Sequence, residues 1–165
     1  MSERVKVIIA GSREFPIPFN LDLVVTTVND ALDCLGIKIE DVEEVSGTAR
    51  GADRMGEEWA RLHKVPVKKF PADWDTHGKS AGHIRNAEMA EYGDVLIAYW
   101  DGKSRGTKGM IDLATKKGLK VIVYQSYEHS EISYSQDRGV GMFSQTFDWR
   151  VSYSNCGKEL DTIGG

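Results

Sequence analysis

VKVIIAGSR, at residues 5–13, is the stretch that decides the class of fold. Residues 5–10 are apolar or β-branched except for Lys6, and such a run is typical of a strand that is buried on both faces of a sheet. Gly11, Ser12 and Arg13 follow it. Glycine allows the backbone to turn tightly and to approach a ligand closely, so this stretch predicts a central strand that ends in a candidate binding loop.

The same arrangement occurs twice more along the chain. SGTARGAD at residues 46–53 follows the short predicted strand 42–46, and DGKSRGT at residues 101–107 follows VLIAY at 95–99. Each loop leads into a predicted helix, whose first turn offers free N–H groups and a partial positive charge to an anion. Three such loops predict one shared pocket for a phosphorylated ligand, with a nucleotide as the expected type.

Strands and helices are predicted to alternate through residue 124. Strands are expected at 5–10, 42–46, 67–70, 95–99 and 121–124, and helices at 21–35, 52–62, 81–92 and 107–117, with Asn20 and Thr107 as N-caps and a long loop at 71–82. This alternation predicts an α/β fold, a Rossmann-like doubly wound three-layer sandwich with a mainly parallel sheet. Ligands of such sheets bind beyond the carboxyl ends of the strands, where all three glycine loops are expected to lie.

The C-terminal part has a different pattern. Residues 127–141 are polar and predicted to be irregular, whereas apolar and polar residues alternate from Phe143 to Tyr153, which indicates a strand. We therefore expect a binding domain at 1–126 and an extension at 127–165 that packs at a sheet edge or against another subunit. A homo-oligomer is expected, because the strand would otherwise leave an exposed apolar stripe.

Length and charge narrow the class of protein. At 165 residues and 41% hydrophobic content, the chain is long enough for one sizeable core. The formal net charge of -4 argues against general nucleic-acid binding, which normally needs a broad basic face. Neither a signal peptide nor a membrane-spanning run is recognisable, so a cytoplasmic protein without membrane contact is expected.

Arginines are the strongest candidates for holding phosphate. A planar guanidinium binds phosphate with two hydrogen bonds, although each arginine alone is more often a solvated surface residue. Arg85 with Asn86 is the favoured pair, because it begins a helix after a long loop. The predicted ligand-binding residues are Gly11, Ser12, Arg13, Ser46, Gly47, Gly51, Trp74, Arg85, Asn86, Ser104, Arg105, Gly106 and Thr107.

Two carboxylates and one tryptophan leave alternatives open. Asp53 either favours the start of its helix by charge alone or binds a ribose or a water, and Asp101 is the second catalytic candidate. Trp74 either covers the sheet edge or stacks on a base. His77 and His83 lack a third ligand at metal spacing, so no metal and no cofactor apart from the nucleotide-type ligand is predicted.

These motifs together resemble the YspA-like branch of the SLOG superfamily, which also includes relatives of DNA-processing protein DprA and the LOG enzymes. The resemblance rests on GSREF at 11–15, SGTARGAD at 46–53, PADW at 71–74 with AGHIRNAEM at 81–89, and DGKSRGT at 101–107. It covers about residues 5–124 and implies a nucleotide or nucleotide-derived ligand that is sensed or processed.

One position departs from the LOG pattern. LOG phosphoribohydrolases carry a catalytic glutamate three positions after their Gly-Thr pair, and alignment on Gly106 and Thr107 puts Met110 there. A methionine is neither an acid nor a base, which favours binding over hydrolysis. The alternatives are an N-glycosidic hydrolase that uses Asp53 or Asp101, and a DprA-like module that binds single-stranded DNA.

Overall fold

The computed structural model describes residues 3–14, 20–134 and 141–157, with the side chains of 128–148 outside the description. The strands of this part are β1 (Val5–Gly11), β2 (Val42–Ser46), β3 (Val67–Lys69), β4 (Val95–Trp100), β5 (Lys120–Tyr134) and β6 (Gly141–Ser154). The α-helices are α1 (Leu21–Leu35), α2 (Ala52–Leu62), α3 (Trp74–His77), α4 (Ala81–Tyr92) and α5 (Arg105–Lys116).

The strands form one sheet in the order β3-β2-β1-β4-β5-β6. The first five are parallel, and β6 is antiparallel to β5. From β1 the chain builds one half of the sheet outward through β2 and β3 and then returns to the other side of β1 with β4. The predicted doubly wound α/β fold with a C-terminal strand is confirmed.

Both faces of β1 are covered, as its apolar run predicts. Val7 and Ile9 pack with residues of α1 and α2, whereas Ile8 and Ala10 pack with residues of α4 and α5. Alternate side chains of a strand point to opposite faces, so each pair joins a separate core. Burial on both sides explains why this strand has apolar residues at nearly every position.

One predicted helix cap is observed and one differs, and the loop expected at 71–82 contains helical turns. Asn20 caps α1 by accepting the Leu23 N–H at 2.9 Å. The cap of α5 is Ser104 instead of Thr107, since α5 begins at Arg105 and the Ser104 side chain accepts the Thr107 N–H. The expected loop at 71–82 contains α3 and a 3-10 turn, because Asp73 caps a short helical segment.

The prediction of irregular structure at 127–141 is wrong for its described residues. Strand β5 continues to Tyr134 and β6 begins at Gly141, so the polar segment forms much of a long ribbon. Its backbone pairs from Val121↔Ser154 to Tyr134↔Gly141, a partner that the polar composition did not reveal. The expected domain boundary at 126 lies inside β5, and the side chains of Phe143 and Phe147 lie outside the described set.

The other expected features of β6 are visible near its end. Trp149, Val151 and Tyr153 are partly buried and pack against the core on the α1 side of the sheet. Strand β6 therefore contributes to the core as an edge strand. None of the helices in the described ranges combines the length and the apolar character needed to cross a bilayer.

Candidate functional site

A cleft of about 640 Å³ opens at the carboxyl ends of β1 and β4. The sheet order reverses direction between these two strands, which is where doubly wound sheets bind ligands. Twelve predicted site residues line the cleft: Gly11, Ser12, Arg13, Asp53, Trp74, Arg85, Asn86, Asp101, Ser104, Arg105, Gly106 and Thr107. Ser46, Gly47 and Gly51 do not line it.

The loop after β1 is fastened to the loop after β4. The Ser12 N–H donates to the Tyr99 carbonyl at 2.9 Å, and the Asp101 N–H donates to Ser12 Oγ at 3.1 Å. A Cβ added to Gly11 would overlap the Tyr99 carbonyl oxygen and lie 2.9 Å from the Ala52 Cβ. Glycine is therefore needed at position 11 for close backbone packing, which brings the first and third loops together.

Asp101 organises the start of α5. Its Oδ1 accepts the N–H groups of Ser104 at 2.7 Å and Lys103 at 2.9 Å. Burial opposes the ionised form, but these hydrogen bonds and a side-chain interaction with Ser12 leave the pKa of Asp101 below its ordinary value. The Asp101 carboxylate therefore stabilises the loop before α5, independently of any catalytic role.

The first turn of α5 is open toward the cleft. Within the described part of the chain, no group accepts the N–H of Arg105 or Gly106, whereas the Thr107 N–H is capped by Ser104. A Cβ added to Gly106 or Gly109 would meet nothing within 4 Å. This helix end combines unsatisfied donors with free space and suits an anion.

The second glycine loop only partly lines the cleft, and Gly47 lies behind it. Arg85 donates through Nη1 to the Gly47 carbonyl and through Nε to Asn86 Oδ1 at 2.9 Å, and Asn86 Nδ2 donates to the Gly106 carbonyl at 3.3 Å. A Cβ on Gly47 would lie 2.7 Å from both Arg85 Nη1 and Asp53 Oδ2. The favoured Arg85–Asn86 pair therefore ties the second loop to α5 as well as lining the cleft.

Asp53 forms a buried acidic part of the cleft wall. It is 3% exposed, and its Oδ2 accepts the Ala49 N–H at 3.3 Å. Burial raises the pKa of Asp53 to about 6, although the Arg85 charge and the N–H groups of Ala49 and Gly11 favour the ionised form. A carboxyl group with this pKa exchanges its proton close to neutral pH.

Cations are concentrated around this opening despite the acidic net charge. Arg13, Arg50, Lys79, Arg85 and Arg105 all line it. Arg50 is paired with Glu14 at 2.9 Å, but Arg13, Lys79 and Arg105 have no carboxylate partner among the residues that the structure describes. The cleft thus combines several cations with few acids.

Some lining residues were not among the predicted ligands. Lys79 and His83 lie on the segment from the 3-10 turn into α4, and Met110 lines the cleft although it is 1% exposed. Trp74 is 51% exposed at the rim, next to Gly82. For Lys79 the sequence offered one signal, a cation in the segment 71–82. The helical turn that positions it was not predicted.

The structure is a Rossmann-like domain with a cleft at its topological switch point. The chain belongs to the YspA, cpYpsA-related SLOG family, whose model matches residues 5–77. It is 41% identical over 104 residues to the Gene 61 protein of Mycobacterium phage D29, an overlap that spans 59% of this chain and 83% of that protein.

A solved structure has the same fold. It is that of DNA processing protein A from Helicobacter pylori, determined to explain its single-stranded DNA binding mode. The TM-score is 0.53 with 23% identity, and the match covers 73% of this chain and 65% of that one, slightly less than two thirds of its length.

This likeness corrects one expectation from the sequence. The argument against nucleic-acid binding was wrong, since a protein of this fold binds single-stranded DNA. It used the net charge of -4, which is a sum over the whole chain, whereas binding depends on local charge. Here five cationic and three acidic side chains line the cleft, so the local balance of charged residues is opposite to that of the whole chain.

Proposed function

We propose that the cleft binds a nucleotide or a nucleotide-derived ligand through its phosphate groups. One observation carries this proposal: three cations without a carboxylate partner in the described ranges, Arg13, Lys79 and Arg105, line the same cleft as the open first turn of α5. Helix N-termini and guanidinium groups are the common protein partners of phosphate. A ligand with phosphate charge would satisfy both.

The dimensions and rim of the cleft suit a nucleotide. A volume of about 640 Å³ lies within the range of small-molecule sites. Arg105 and the N–H groups of the first turn of α5 would hold a phosphate, with Arg13 on the facing loop. Trp74, which is half exposed at the rim, would stack on the base.

Single-stranded DNA is the second candidate, favoured by the fold likeness to a protein that binds it. The same cations and Trp74 would then bind a backbone phosphate and a base. Salt distinguishes the two ligands, because contacts to several backbone phosphates make affinity fall steeply as salt concentration rises.

Thermal unfolding with candidate ligands tests the proposal. A ligand at about a hundred times its Kd adds about 2.7 kcal/mol of stability, which raises the Tm of a domain of this size by roughly 5–10 °C. The panel contains nucleoside mono- and diphosphates, cyclic nucleotides, ADP-ribose, NAD and an oligothymidylate.

An arginine outside the cleft supplies the matched control. Arg105→Ala should reduce the Tm increase, whereas Arg61→Ala should retain it, because Arg61 lies on α2 paired with Glu58 and does not line the cleft. If no compound raises the Tm, or if both variants respond like the wild type, the proposed function loses its basis.

Hydrolysis of an N-glycosidic bond is expected to be slow. Met110 lines the cleft at the position of the LOG glutamate and supplies neither a proton nor a charge to the leaving base. Chromatography of AMP after incubation with the wild type should therefore detect little free adenine. Rapid release of adenine that is lost in Asp53→Asn would establish the hydrolase instead.

A further inference from the structure

Asp53 is an acidic residue in a cleft whose cations and open helix N-terminus favour an anion. It lines the same cleft as Arg13 and Arg105, yet it is 3% exposed. Water therefore screens its charge poorly, and the charge depends on nearby protein groups. A bound phosphate would add negative charge on the open side of this carboxylate.

The charged groups of α2 and β2 that interact with Asp53 are acidic, so they do not stabilise its ionised form. Glu57, further along α2, raises the pKa of Asp53, and Glu44 of β2 also lies close enough to interact with it. Glu44 is fully buried, and within the described chain neither of its oxygens has a hydrogen-bond partner. Burial, followed by Glu57 and Asp53, raises the pKa of Glu44 to about 9, while Lys69 opposes this rise.

Compensation for Asp53 comes mainly from the cleft side. Arg85 of α4 is the cation that most favours the ionised form of Asp53. Arg13 lies close enough to Arg85 to lower its pKa, after the larger effect of burial and the opposing effect of Asp53. The other charged or titratable groups that line the cleft are Glu14, Arg50, Lys79, His83, Arg105 and Asp101, whose pKa is lowered. Asp53 and a bound anion would thus compete for the same positive potential.

We propose that the cleft binds its anion together with a proton on Asp53, so that ligand affinity falls as the solution becomes more alkaline. The inference rests on the proposed anion site, but not on the identity of the ligand. A bound anion and the ionised Asp53 carboxylate repel each other, because both are negative and lie near the same guanidinium groups. Protonation of Asp53 removes this repulsion.

The direction of the pH dependence follows from linkage. In the free protein the pKa of Asp53 is about 6, so below that pH the carboxyl group is already neutral. Above it, binding must take up a proton, because the anion raises this pKa further. Each pH unit by which the anion raises the midpoint weakens binding about tenfold at alkaline pH.

Carboxyl-carbon NMR of the full chain tests the coupling without a nucleotide. The Asp53 resonance, assigned with Asp53→Asn, is titrated in sodium chloride and in sodium sulfate of equal ionic strength. Sulfate is the probe because its charge is constant in this pH range. The midpoint should lie near 6 in chloride and rise by about one pH unit in sulfate, as expected for a like charge nearby.

A carboxyl outside the cleft is the matched control. Glu91 of α4 is exposed, pairs with Lys117 and does not line the cleft, so Glu91→Gln should retain the sulfate-dependent rise of the Asp53 midpoint. Equal Asp53 midpoints in the two salts, or a chloride midpoint at the ordinary value for aspartate, would overturn the proposal.

Calorimetry with NAD separates this inference from the proposed function. The charge of NAD is constant from about pH 5.5 to about pH 8. Its Kd should be about tenfold weaker at the upper end for the wild type, and most of this change should be lost in Asp53→Asn. A flat Kd in the wild type would refute proton coupling and leave nucleotide binding standing. A sulfate effect on Asp53, together with no binding of any nucleotide in the thermal-unfolding panel, would support the coupling and refute the proposed function.

Discussion

Replacing Gly11 with alanine should destabilise the protein by about 3 kcal/mol, the upper end of the usual cost of overpacking. The added Cβ would overlap the Tyr99 carbonyl oxygen, and this oxygen already accepts the Ser12 N–H at 2.9 Å. Strands β1 and β4 pair at this point, Gly11 with Tyr99, so neither backbone moves without loss of sheet hydrogen bonds. Calorimetric unfolding should record a Tm lower by roughly 6–12 °C.

Gly109→Ala is the control for this substitution. A Cβ at position 109 would meet nothing within 4 Å, and the residue lies inside α5. Alanine is favoured over glycine in a helix by about 0.5–1 kcal/mol, so this variant should unfold at a slightly higher temperature than the wild type. Equal stability of Gly11→Ala and Gly109→Ala would contradict the close packing of β1 against β4.

Ending the chain after Ser126 should have a still larger effect. It removes β6 together with Trp149, Val151 and Tyr153, which pack against the core. Burial of such a side chain stabilises by about 1.5–3 kcal/mol when complete, so the loss of three half-buried ones is about 4 kcal/mol. The Tm should fall by roughly 10 °C or more.

The same truncation exposes the edge of β5. Residues Val121 to Gln125 lose their antiparallel partner on β6, and an unpaired apolar edge promotes aggregation. A chain that ends after Gly157 retains all of β6 and is the matched control. Sedimentation and thermal unfolding compare the two, and equal solubility and Tm would contradict the assigned role of β6.

The sheet was predictable because its strands carry a strong pattern. The run from Val5 to Ala10 indicates a strand covered on both faces, and glycines mark where strands end. The long ribbon was not predictable in the same way. Residues 127–134 are mostly polar, and their strand conformation depends on pairing with β6, the next strand of the chain. A polar ribbon of this kind lacks the apolar alternation from which a strand is recognised.

The sequence predicted where the candidate site lies, but not which residues contact one another there. Topology alone directs the loops at 11–13 and 101–107 to one edge of the sheet. The sequence did not reveal that Gly47 lies behind the cleft, because its position depends on close contacts with the side chains of Arg85 and Asp53. The burial of Asp53 and the position of Lys79 depend equally on tertiary packing.

The central claim is that the cleft at the start of α5 binds a phosphate-bearing nucleotide, and native mass spectrometry tests it most directly. The protein is sprayed with the nucleotide panel, beside Gly109→Trp, whose large side chain would occupy the open space above α5. We predict one bound nucleotide per chain for the wild type and a large loss of that complex for a folded Gly109→Trp. The absence of any bound nucleotide, or equal binding by both proteins, would contradict the claim.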